Sequence, residues 1–287
     1  MSVVVKVGAD PEFFLKKDGK NVSAHGIVPG SKHQPHLVDA GAIQLDGTAV
    51  EFNISPASTA IEFSTNINTV LNQLRTHIPS EYEFDFSPSV RYDAKYFEQV
   101  PESSKELGCD PDFNAWKEGK VNPRPTPKDD YATLRTGAGH LHIGWGEKLD
   151  ITHSDHITDC CVLVKQLDNY FSFYEKLWDK DDTRRTLYGA RGAFRPKHYG
   201  VEYRVLSNAW LKYPKMWPWL FDSVKAVFDF TVEGQTVQSP NRWDYEFIAA
   251  RYKHADDASK ANALVDYYHQ YFNKKTFPKF SAQFLEA

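Results

Sequence analysis

The chain has 287 residues, of which 41% are hydrophobic and 25% are charged. These values are typical of a globular protein with a full core, and they exclude a disordered, fibrous or coiled-coil chain. The 34 basic and 38 acidic residues give a net charge of -4, which argues against a duplex-DNA binder driven by bulk charge.

The longest apolar runs are only a few residues, so we expect no membrane span, and the N-terminus has no pattern of a secretion signal. The three cysteines, Cys109, Cys160 and Cys161, do not form the pattern of a disulfide framework. These features predict a protein of the reducing cytoplasm.

The N-terminal half predicts several strands and one helix. Gly8 is expected to end the first strand, and Ser58 or Thr59 is expected to cap a helix that runs to about Ile78. Residues 21–42 and the proline-rich residues 87–130 are predicted to be irregular. The predicted strands are 3–7, 10–15, 43–54 and 81–86, with hairpin turns at Asp18-Gly19 and Asp46-Gly47. The apolar stripe of the helix is Ile61, Ile67, Val70, Leu71 and Leu74.

The C-terminal half predicts a longer helical part. Thr152 is expected to cap a helix over 153–178, and 184–197 is expected to be a glycine- and arginine-rich loop. The predicted strands are 133–144 and 201–206, and the predicted later helices are 214–230, 245–252 and 258–272. Because most strands have hairpin spacing, the pattern favours an α+β fold, a largely antiparallel sheet with helices on one face. We predict a single domain over 1–287 with a mostly helical part from about 211.

Two acidic groups stand on predicted strands. Asp10 and Glu12 are two residues apart, so on a strand both carboxylates face the same way, about 6.6–6.8 Å apart, and can share one ion or a pair of ions. Glu51 lies between apolar residues of its strand and must find a cation, a donor or solvent, whereas Asp46 reads most simply as a turn residue. For Asp10 and Glu12 the alternative is a pair of solvated acids at a strand end.

His140 and His142 share one face of a predicted strand, at a spacing that suits a metal ion or a phosphate. The alternative is two histidines satisfied by neighbouring protein groups. No CxxC motif supplies the sulfur ligands of a zinc site, and oxygen ligands dominate the candidates. This composition favours Mg²⁺ or Mn²⁺ over zinc.

An arginine-rich segment precedes and enters the strand that carries Glu202. Arginine binds phosphate through two parallel hydrogen bonds and keeps its charge in a desolvated cleft. Together with the acids, these arginines indicate a nucleoside-triphosphate site without a P-loop, because the chain has no GxxxxGK[ST] motif. The alternatives are a solvated basic loop or a nucleic-acid contact. The arginines are Arg184, Arg185, Arg191, Arg195 and Arg204.

The order of four motifs resembles the glutamine-synthetase-like carboxylate–amine ligases, and in particular the phage-type COOH-NH2 ligase (amidoligase) family. The resemblance covers about residues 1–210. Its most specific part is the segment from Arg191 to Asn208. The four motifs are Gly8-Ala9-Asp10-Pro11-Glu12-Phe13, Asp46-Gly47-x-x-x-Glu51-Phe52-Asn53, Gly139-His140-Leu141-His142-Ile143-Gly144 and Tyr199-Gly200-Val201-Glu202-Tyr203-Arg204.

This resemblance implies an antiparallel sheet that forms a funnel, with Mg-ATP entering one end and two or three Mg²⁺ or Mn²⁺ ions around the phosphates. The implied metal ligands are Asp10, Glu12, Glu51, His140 (or His142) and Glu202. The implied nucleotide contacts are Arg184, Arg185, Arg191, Arg195, Arg204 and His142, and Arg191, Arg195 and Arg204 would also stabilise the charge that develops during catalysis. Two features depart from the larger enzymes of the family. Asp10 stands where a glutamate is common, and the spacing from Asp46 to Glu51 differs, so Asp46 is not carried over as a ligand.

The implied activity is an ATP-dependent ligase that joins a carboxylate to an amine through an acyl phosphate and releases ADP and phosphate. If the chain is of phage origin, it would act in the host cytoplasm, and nucleic acid is expected only as a modified substrate. The sequence leaves the two substrates and the oligomeric state open. Two other readings remain: a guanidino kinase of the same general fold, and a nucleic-acid or peptide-binding module whose 7 Trp and 15 Tyr stack on its ligand.

Overall fold

A long central strand, β1 (Lys6–Lys17), organises a mostly antiparallel sheet in the computed structural model, which describes residues 4–105, 112–123, 131–236, 250–251, 253–272 and 277–286. The main path of the sheet is β3-β4-β5-β1-β11-β13-β12-β8-β9, with β2 and β6 pairing the far end of β1, and β7 pairs β10 separately. Every ladder between these strands is antiparallel. The other strands are β2 (Lys20–Val22), β3 (His36–Val38), β4 (Gly41–Asp46), β5 (Ala49–Ile54), β6 (Glu83–Asp85), β7 (Ser89–Arg91), β8 (Phe113–Asn114), β9 (Lys120–Val121), β10 (Leu134–Thr136), β11 (Gly139–Gly144), β12 (Ala193–Lys197) and β13 (Gly200–Tyr203).

The helices cover one face of this sheet. Helix α1 packs on β4 and β5, α4 on β12 and β13, and α6 on β1, as the α+β prediction required. Helix α2 is an exception, because its Phe97 joins a small cluster with Phe14 on the opposite side of β1. The helices are α1 (Ala60–His77), α2 (Ala94–Glu98), α3 (Glu102–Lys105), α4 (Ser154–Phe171), α5 (Glu175–Trp178), α6 (Trp217–Val232) and α7 (Asp257–Phe272), and short 3-10 turns occupy Ala115–Lys117, Arg184–Thr186, Asn208–Lys212, Pro214–Met216 and Ala282–Leu285.

Strand β1 separates the core from the opposite face by simple alternation. Val7, Phe13 and Leu15 are fully buried in the main hydrophobic cluster, which extends from Val5 to Phe280. Because successive strand residues point to opposite faces, Asp10 and Glu12 lie on the side away from these residues. The hairpin turns predicted at Asp18-Gly19 and Asp46-Gly47 are confirmed, since β1–β2 and β4–β5 meet there.

Several predicted boundaries are wrong in the strand regions. Strand β1 does not end at Gly8, because its ladder with β11 continues from Lys6 to Pro11. Residues 21–42 contain β3 and the start of β4, and 87–130 contain short strands and helices, although 106–111 and 124–130 lie outside the described residues. The predicted strand 133–144 breaks after β10, which leaves the main sheet to pair with β7. The segment 184–197, predicted as a loop, contains strand β12, which pairs with β13.

The helix predictions hold in outline. Thr59 caps α1, accepting a hydrogen bond from the Glu62 N–H at 3.1 Å, but Ile61 is 79% exposed and the buried stripe begins at Phe63. The predicted helix 153–178 is two helices, α4 and α5, and His153 rather than Thr152 caps the first. Most of the predicted helix 245–252 lies outside the described residues. In the described part of the chain, no helix has the length and apolar character needed to cross a bilayer.

Candidate functional site

Four adjacent strands, β5, β1, β11 and β13, place the predicted acids and histidines on one face of the sheet, and β4 and β12 extend this face at its two sides. Side chains of directly paired strand residues lie on the same face, so these pairs form a continuous polar surface opposite the helices. The paired residues are Gln44 with Glu51, Glu51 with Glu12, Asp10 with His140, His142 with Glu202, and Glu202 with Arg195. The structure therefore puts all five predicted metal ligands on one face of the sheet, although they come from four separate segments of the chain.

Three of these residues offer donor atoms to one point. A carboxylate oxygen of Asp10, a ring nitrogen of His142 and a carboxylate oxygen of Glu202 lie within 4.8 Å of one another. The His142 Nε2 atom is 3.0 Å from Asp10 Oδ1, and its Nδ1 atom is hydrogen-bonded to the Tyr199 hydroxyl. The Nδ1 atom of His140 lies 3.5 Å from Asp10 Oδ1 and 3.4 Å from Glu202 Oε1. One aspartate, one glutamate and two imidazoles thus form a compact set of candidate ligands.

Cationic side chains surround Glu202, which is only 1% exposed. The Lys197 ammonium is 2.7 Å from Oε2, Arg195 Nη1 is 3.7 Å from Oε1, and Arg204 Nη1 contacts Oε1. Burial and Asp10 raise the pKa of Glu202, but Arg204 and the two histidines lower it by a larger amount. The net result is a pKa of about 2. Glu202 therefore stays ionised and aligns three cations along the sheet face.

The charges of the histidines follow from their surroundings. Burial and the Arg204 guanidinium together lower the pKa of His140 to about 4, although Asp10 and Glu202 oppose the change, so this imidazole is neutral at pH 7. Burial also lowers the pKa of His142, but Asp10 outweighs it and raises that pKa overall. The Asp10 pKa is held below its usual range, because His142 and His140 outweigh the effect of burial. A neutral imidazole beside a carboxylate is a suitable metal-ligand pair.

Three other carboxyl groups are crowded together. Burial and then Asp46 raise the pKa of Glu12 to about 8, and burial, Asp10 and Glu12 raise the pKa of Glu51 well above its usual value. Burial is also the largest cause of the raised pKa of Asp46. The hydrogen bonds that Glu51 accepts from Gln44 Nε2 at 2.7 Å and Glu12 from Ala138 N at 3.0 Å do not offset this repulsion. Buried acids arranged this way fit a divalent cation, which would remove the repulsion.

Two cavities open on different sides of this row of residues. A cavity of about 710 Å³ is lined by Asp10, Glu51 and His142, together with Lys6, Trp145 and Tyr199. A smaller cavity of about 70 Å³ is lined by Glu12, Asp46, His140 and Arg204, together with Arg135 and Arg184. The paired residues Glu12 and Glu51 thus face different cavities.

The predicted arginines divide into two groups. Arg195 and Arg204 lie on the site face, and Arg184 is buried beside it, donating to the Val205 carbonyl at 2.8 Å. Arg185 points away from the site and pairs with Glu175 and Asp179, each at 3.4 Å.

Arg191 likewise lies away from the site, with its guanidinium over the Trp116 ring and 3.4 Å from Asn169 Oδ1. The expected grouping of five arginines is therefore wrong for these two. For Arg185 the reason is the 3-10 turn at Arg184–Thr186, in which neighbouring side chains point in different directions. For Arg191 the reason is a turn at Gly192, where φ is +84°, which separates Arg191 from β12.

Three residues of the site were not predicted: Arg135, Lys197 and Tyr199. Lys197 follows Arg195 by two residues, so the alternation of a strand could have indicated it once β12 was recognised. Arg135 and Tyr199 gave no such pattern, because they reach the site through β10 and the turn between β12 and β13.

Comparisons with known proteins do not assign a family to the chain. No family model matches it, and no curated protein matches it. Among solved structures it is similar to a bifunctional glutathione synthetase from Pasteurella multocida, with 13% sequence identity and a TM-score of 0.33 over 61% of this chain and 22% of that chain. The chain thus spans about a fifth of the length of that protein. A likeness this slight does not establish a shared fold.

Proposed function

We propose that the protein is an ATP-dependent carboxylate–amine ligase of the glutamine-synthetase-like amidoligase type, as its sequence motifs suggest. The observation that carries this proposal is the convergence of Asp10, His142 and Glu202 beside the cations Arg195 and Arg204. Ligands for a divalent ion next to guanidinium groups are the components that phosphoryl transfer requires.

The larger cavity is proposed to receive the nucleotide. Its volume of about 710 Å³ falls in the range of small-molecule sites, and it combines the aromatic Trp145 and Tyr199 with the charged Lys6. Mg²⁺ or Mn²⁺, as two or three ions, would be held by Asp10, Glu12, Glu51, a histidine and Glu202. A bound divalent ion would supply neutralisation of the phosphate charge.

The reaction needs an activated acid, because a carboxylate is a poor electrophile. A carboxylate oxygen attacks the γ-phosphorus, the bond from that phosphorus to the bridging oxygen breaks, and ADP leaves with the electron pair. Arg195, Arg204 and Lys197, which surround Glu202, would stabilise the charge on the transferring group. The amine nitrogen then attacks the acyl carbon, loses a proton, and the carbon–oxygen bond to phosphate breaks as the amide forms.

The guanidino kinase alternative gains no support from the described residues. Cys160 and Cys161 are buried on α4, and burial raises the pKa of both thiols, which disfavours a reactive thiolate. Cys109 lies outside the described residues.

The binding-module alternative relied on abundant aromatic residues, but many of these residues form the core. Trp178, Trp210, Trp217 and Trp219 are buried there, so they cannot stack on a ligand. Trp116 is 45% exposed, and its ring faces Arg191 and Lys165. The composition that suggested base stacking is largely explained by packing.

The direct test is to incubate the protein with Mg-ATP and a panel of acids and amines, and to measure ADP and amide together. We expect Glu202→Gln to lose ADP formation, because the carboxylate beside three cations is gone. The matched control Glu83→Gln, on an exposed position of β6, is expected to keep the activity. Amide formation that is unaffected by Glu202→Gln would contradict the assignment of the site. A phosphorylated guanidine without amide would establish the kinase, and polynucleotide binding without turnover would establish the module.

A further inference from the structure

An exposed tryptophan lies beside α4, on the helix side of the sheet and away from the candidate site. Trp116 belongs to the 3-10 turn that follows β8, and it is 45% exposed. Its ring nitrogen donates to the buried Asp168 carboxylate at 2.6 Å, and its backbone N–H donates to Asn114 Oδ1 at 2.9 Å. These two hydrogen bonds hold the ring in one orientation although much of the residue faces solvent.

Three basic side chains lie around this ring. The Arg191 guanidinium is 5.5 Å from the ring centroid and the Lys165 ammonium is 5.8 Å from it, both within the range of a cation–π interaction. Lys117 and Arg191, together with Asn114 and Trp116, line a cavity of about 380 Å³. The tryptophan therefore gathers cations that come from three separate segments of the chain.

Exposed valines adjoin these cations. Val162 is 41% exposed and precedes Lys165 by three residues on α4, so the two side chains are neighbours on one face of the helix. Val121 is 55% exposed on β9, which lies at one end of the main sheet. The turn at Gly119 packs on the same helix, because a Cβ atom there would lie 2.7 Å from Ile157. We call this surface the tryptophan patch: Trp116, Lys117, Val121, Val162, Lys165 and Arg191.

The tryptophan patch carries more positive than negative charge. In the part of the chain that the structure describes, no carboxylate lies within 4.0 Å of its three cations. Asp168 interacts electrostatically with Arg191, but it is buried and already accepts two hydrogen bonds. Glu118, next to Lys117, is exposed. Two acids beside three cations leave an excess of positive charge that an acidic partner would complement.

We propose that the tryptophan patch binds an acidic segment of a partner protein, with an apolar residue of that segment beside Trp116 and Val162. Tryptophan and arginine are the residues that most often dominate the binding energy of protein interfaces. A nucleic acid is disfavoured, because base stacking needs an open ring face and Arg191 and Lys165 lie over this ring. The exposed valines also offer nothing to a phosphate backbone. This proposal does not depend on the ligase proposal, since the patch lies away from the candidate site.

The test selects peptides that bind the full chain from a phage-displayed library of random peptides. The affinity of each selected peptide is then measured by fluorescence anisotropy. Arg191→Glu reverses one cation of the tryptophan patch, and Val162→Asp places an acid on its exposed apolar part. Arg75→Glu makes the same charge change at an exposed position of α1 and is the matched control.

We expect the selected peptides to be rich in Asp and Glu and to carry at least one apolar residue. Their affinity should fall about tenfold or more in Arg191→Glu and in Val162→Asp, and it should not change in Arg75→Glu. The proposal would be overturned by a selection that yields no peptide, by peptides without an excess of acids, or by equal binding to Arg191→Glu. A thymidine oligonucleotide that binds more tightly than the peptides, and that Arg191→Glu releases, would assign the patch to nucleic acid instead. Self-association that Arg191→Glu abolishes would assign it to a second copy of the chain.

Discussion

The Tyr199 hydroxyl is hydrogen-bonded to Nδ1 of His142, and the other ring nitrogen of His142 faces Asp10 at 3.0 Å. The Tyr199 backbone is itself fixed, because its carbonyl accepts from Trp145 N at 2.9 Å and from Gly146 N at 3.2 Å. A group that binds one nitrogen of a histidine sets the orientation of the ring and the nitrogen that is left for a ligand. Tyr199 is therefore a positioning residue for His142.

We predict that Tyr199→Phe weakens Mn²⁺ binding by about 10–100-fold, the usual effect of losing a partner of a metal-binding histidine. Titration followed by electron paramagnetic resonance measures this directly. Tyr82→Phe, a half-buried tyrosine beside Lys17, is the control and should bind Mn²⁺ like the wild type. Equal affinities for all three proteins would show that the Tyr199 bond does not serve the metal site.

The crowded carboxylates predict a pH-dependent loss of stability in the metal-free protein. Glu51 has a pKa raised by burial and by Asp10 and Glu12, so its folded form retains a proton that the unfolded form has lost. The protonated Glu51 contributes its full stabilisation at pH values below its pKa in the unfolded chain. This stabilisation is lost as the pH rises through its pKa in the folded protein. Glu51→Gln removes the effect and retains an oxygen that can accept from Gln44.

We therefore expect Glu51→Gln to unfold at a higher temperature than the wild type without metal, by about 2–8 °C for a gain of about 1–2 kcal/mol. The gain should increase from pH 6 to pH 9. Mg²⁺ should raise the melting temperature of the wild type more than that of the variant. Calorimetry with Glu83→Gln as control tests this, and a variant that is less stable than the wild type at every pH would refute it.

Asp168 couples the helix side of the sheet to the strand that carries Glu202. It accepts hydrogen bonds from Trp116 Nε1 at 2.6 Å and from the Tyr203 hydroxyl at 2.8 Å. Burial raises the pKa of Asp168 to about 6, although these two hydrogen bonds oppose the rise. The folded form thus binds a proton more tightly than the unfolded form, whose pKa is about 3.9. The stability from this proton is complete below pH 4 and is lost as the pH rises through 6.

We predict that the unfolding free energy of the wild type, minus that of Asp168→Asn, falls by about 3 kcal/mol between pH 4 and pH 8, at 1.36 kcal/mol for each unit of pKa difference. Urea titrations of both proteins at several pH values measure this difference. Titrations of the other groups cancel in the subtraction. A difference that does not change with pH would show that Asp168 is not protonated in the folded protein.

Gly139 allows β11 to approach the turn that follows β13. A Cβ atom on Gly139 would lie 2.2 Å from the Ser207 carbonyl oxygen and 2.4 Å from Trp210 Nε1. We predict that Gly139→Ala lowers the unfolding free energy by about 1–3 kcal/mol, as overpacking usually does. Gly144→Ala, on the same strand, is the control, because its Cβ would have no contact closer than 3.5 Å. Equal melting temperatures for the two variants would contradict this account.

The parts of the fold that depend on short-range signals were predictable. The Asp-Gly turns set two hairpins, and the Thr59 cap sets the start of α1. Strand β12 was missed because its Arg195 and Lys197 resemble a solvated loop until Glu202 is placed opposite them. Whether charged residues belong to a strand or a loop depends on partners distant in sequence, which periodicity does not reveal.

The candidate site shows the same limit. The spacing of His140 and His142 placed both side chains on one face, and the structure agrees. The register that sets Glu12 opposite Glu51 depends on how β1 and β5 pair, and the sequence does not state that pairing. Arg185 was grouped with Arg184 by proximity in the chain, yet the two side chains have different partners. The number of arginines in the segment therefore overstated the positive charge at the site.

The alternation along β1 makes this strand intolerant of insertion and deletion. A shift of one residue would turn Phe13 toward the cations and would turn Asp10 and Glu12 toward the helices. Apolar side chains would then lie on the polar face of the sheet, and carboxylates would lie in the core. Strand β1 can tolerate a single substitution, because the other side chains keep their faces, but it cannot tolerate a change of length. Related chains that keep this chemistry should therefore vary in length at the ends of the strand and never within it.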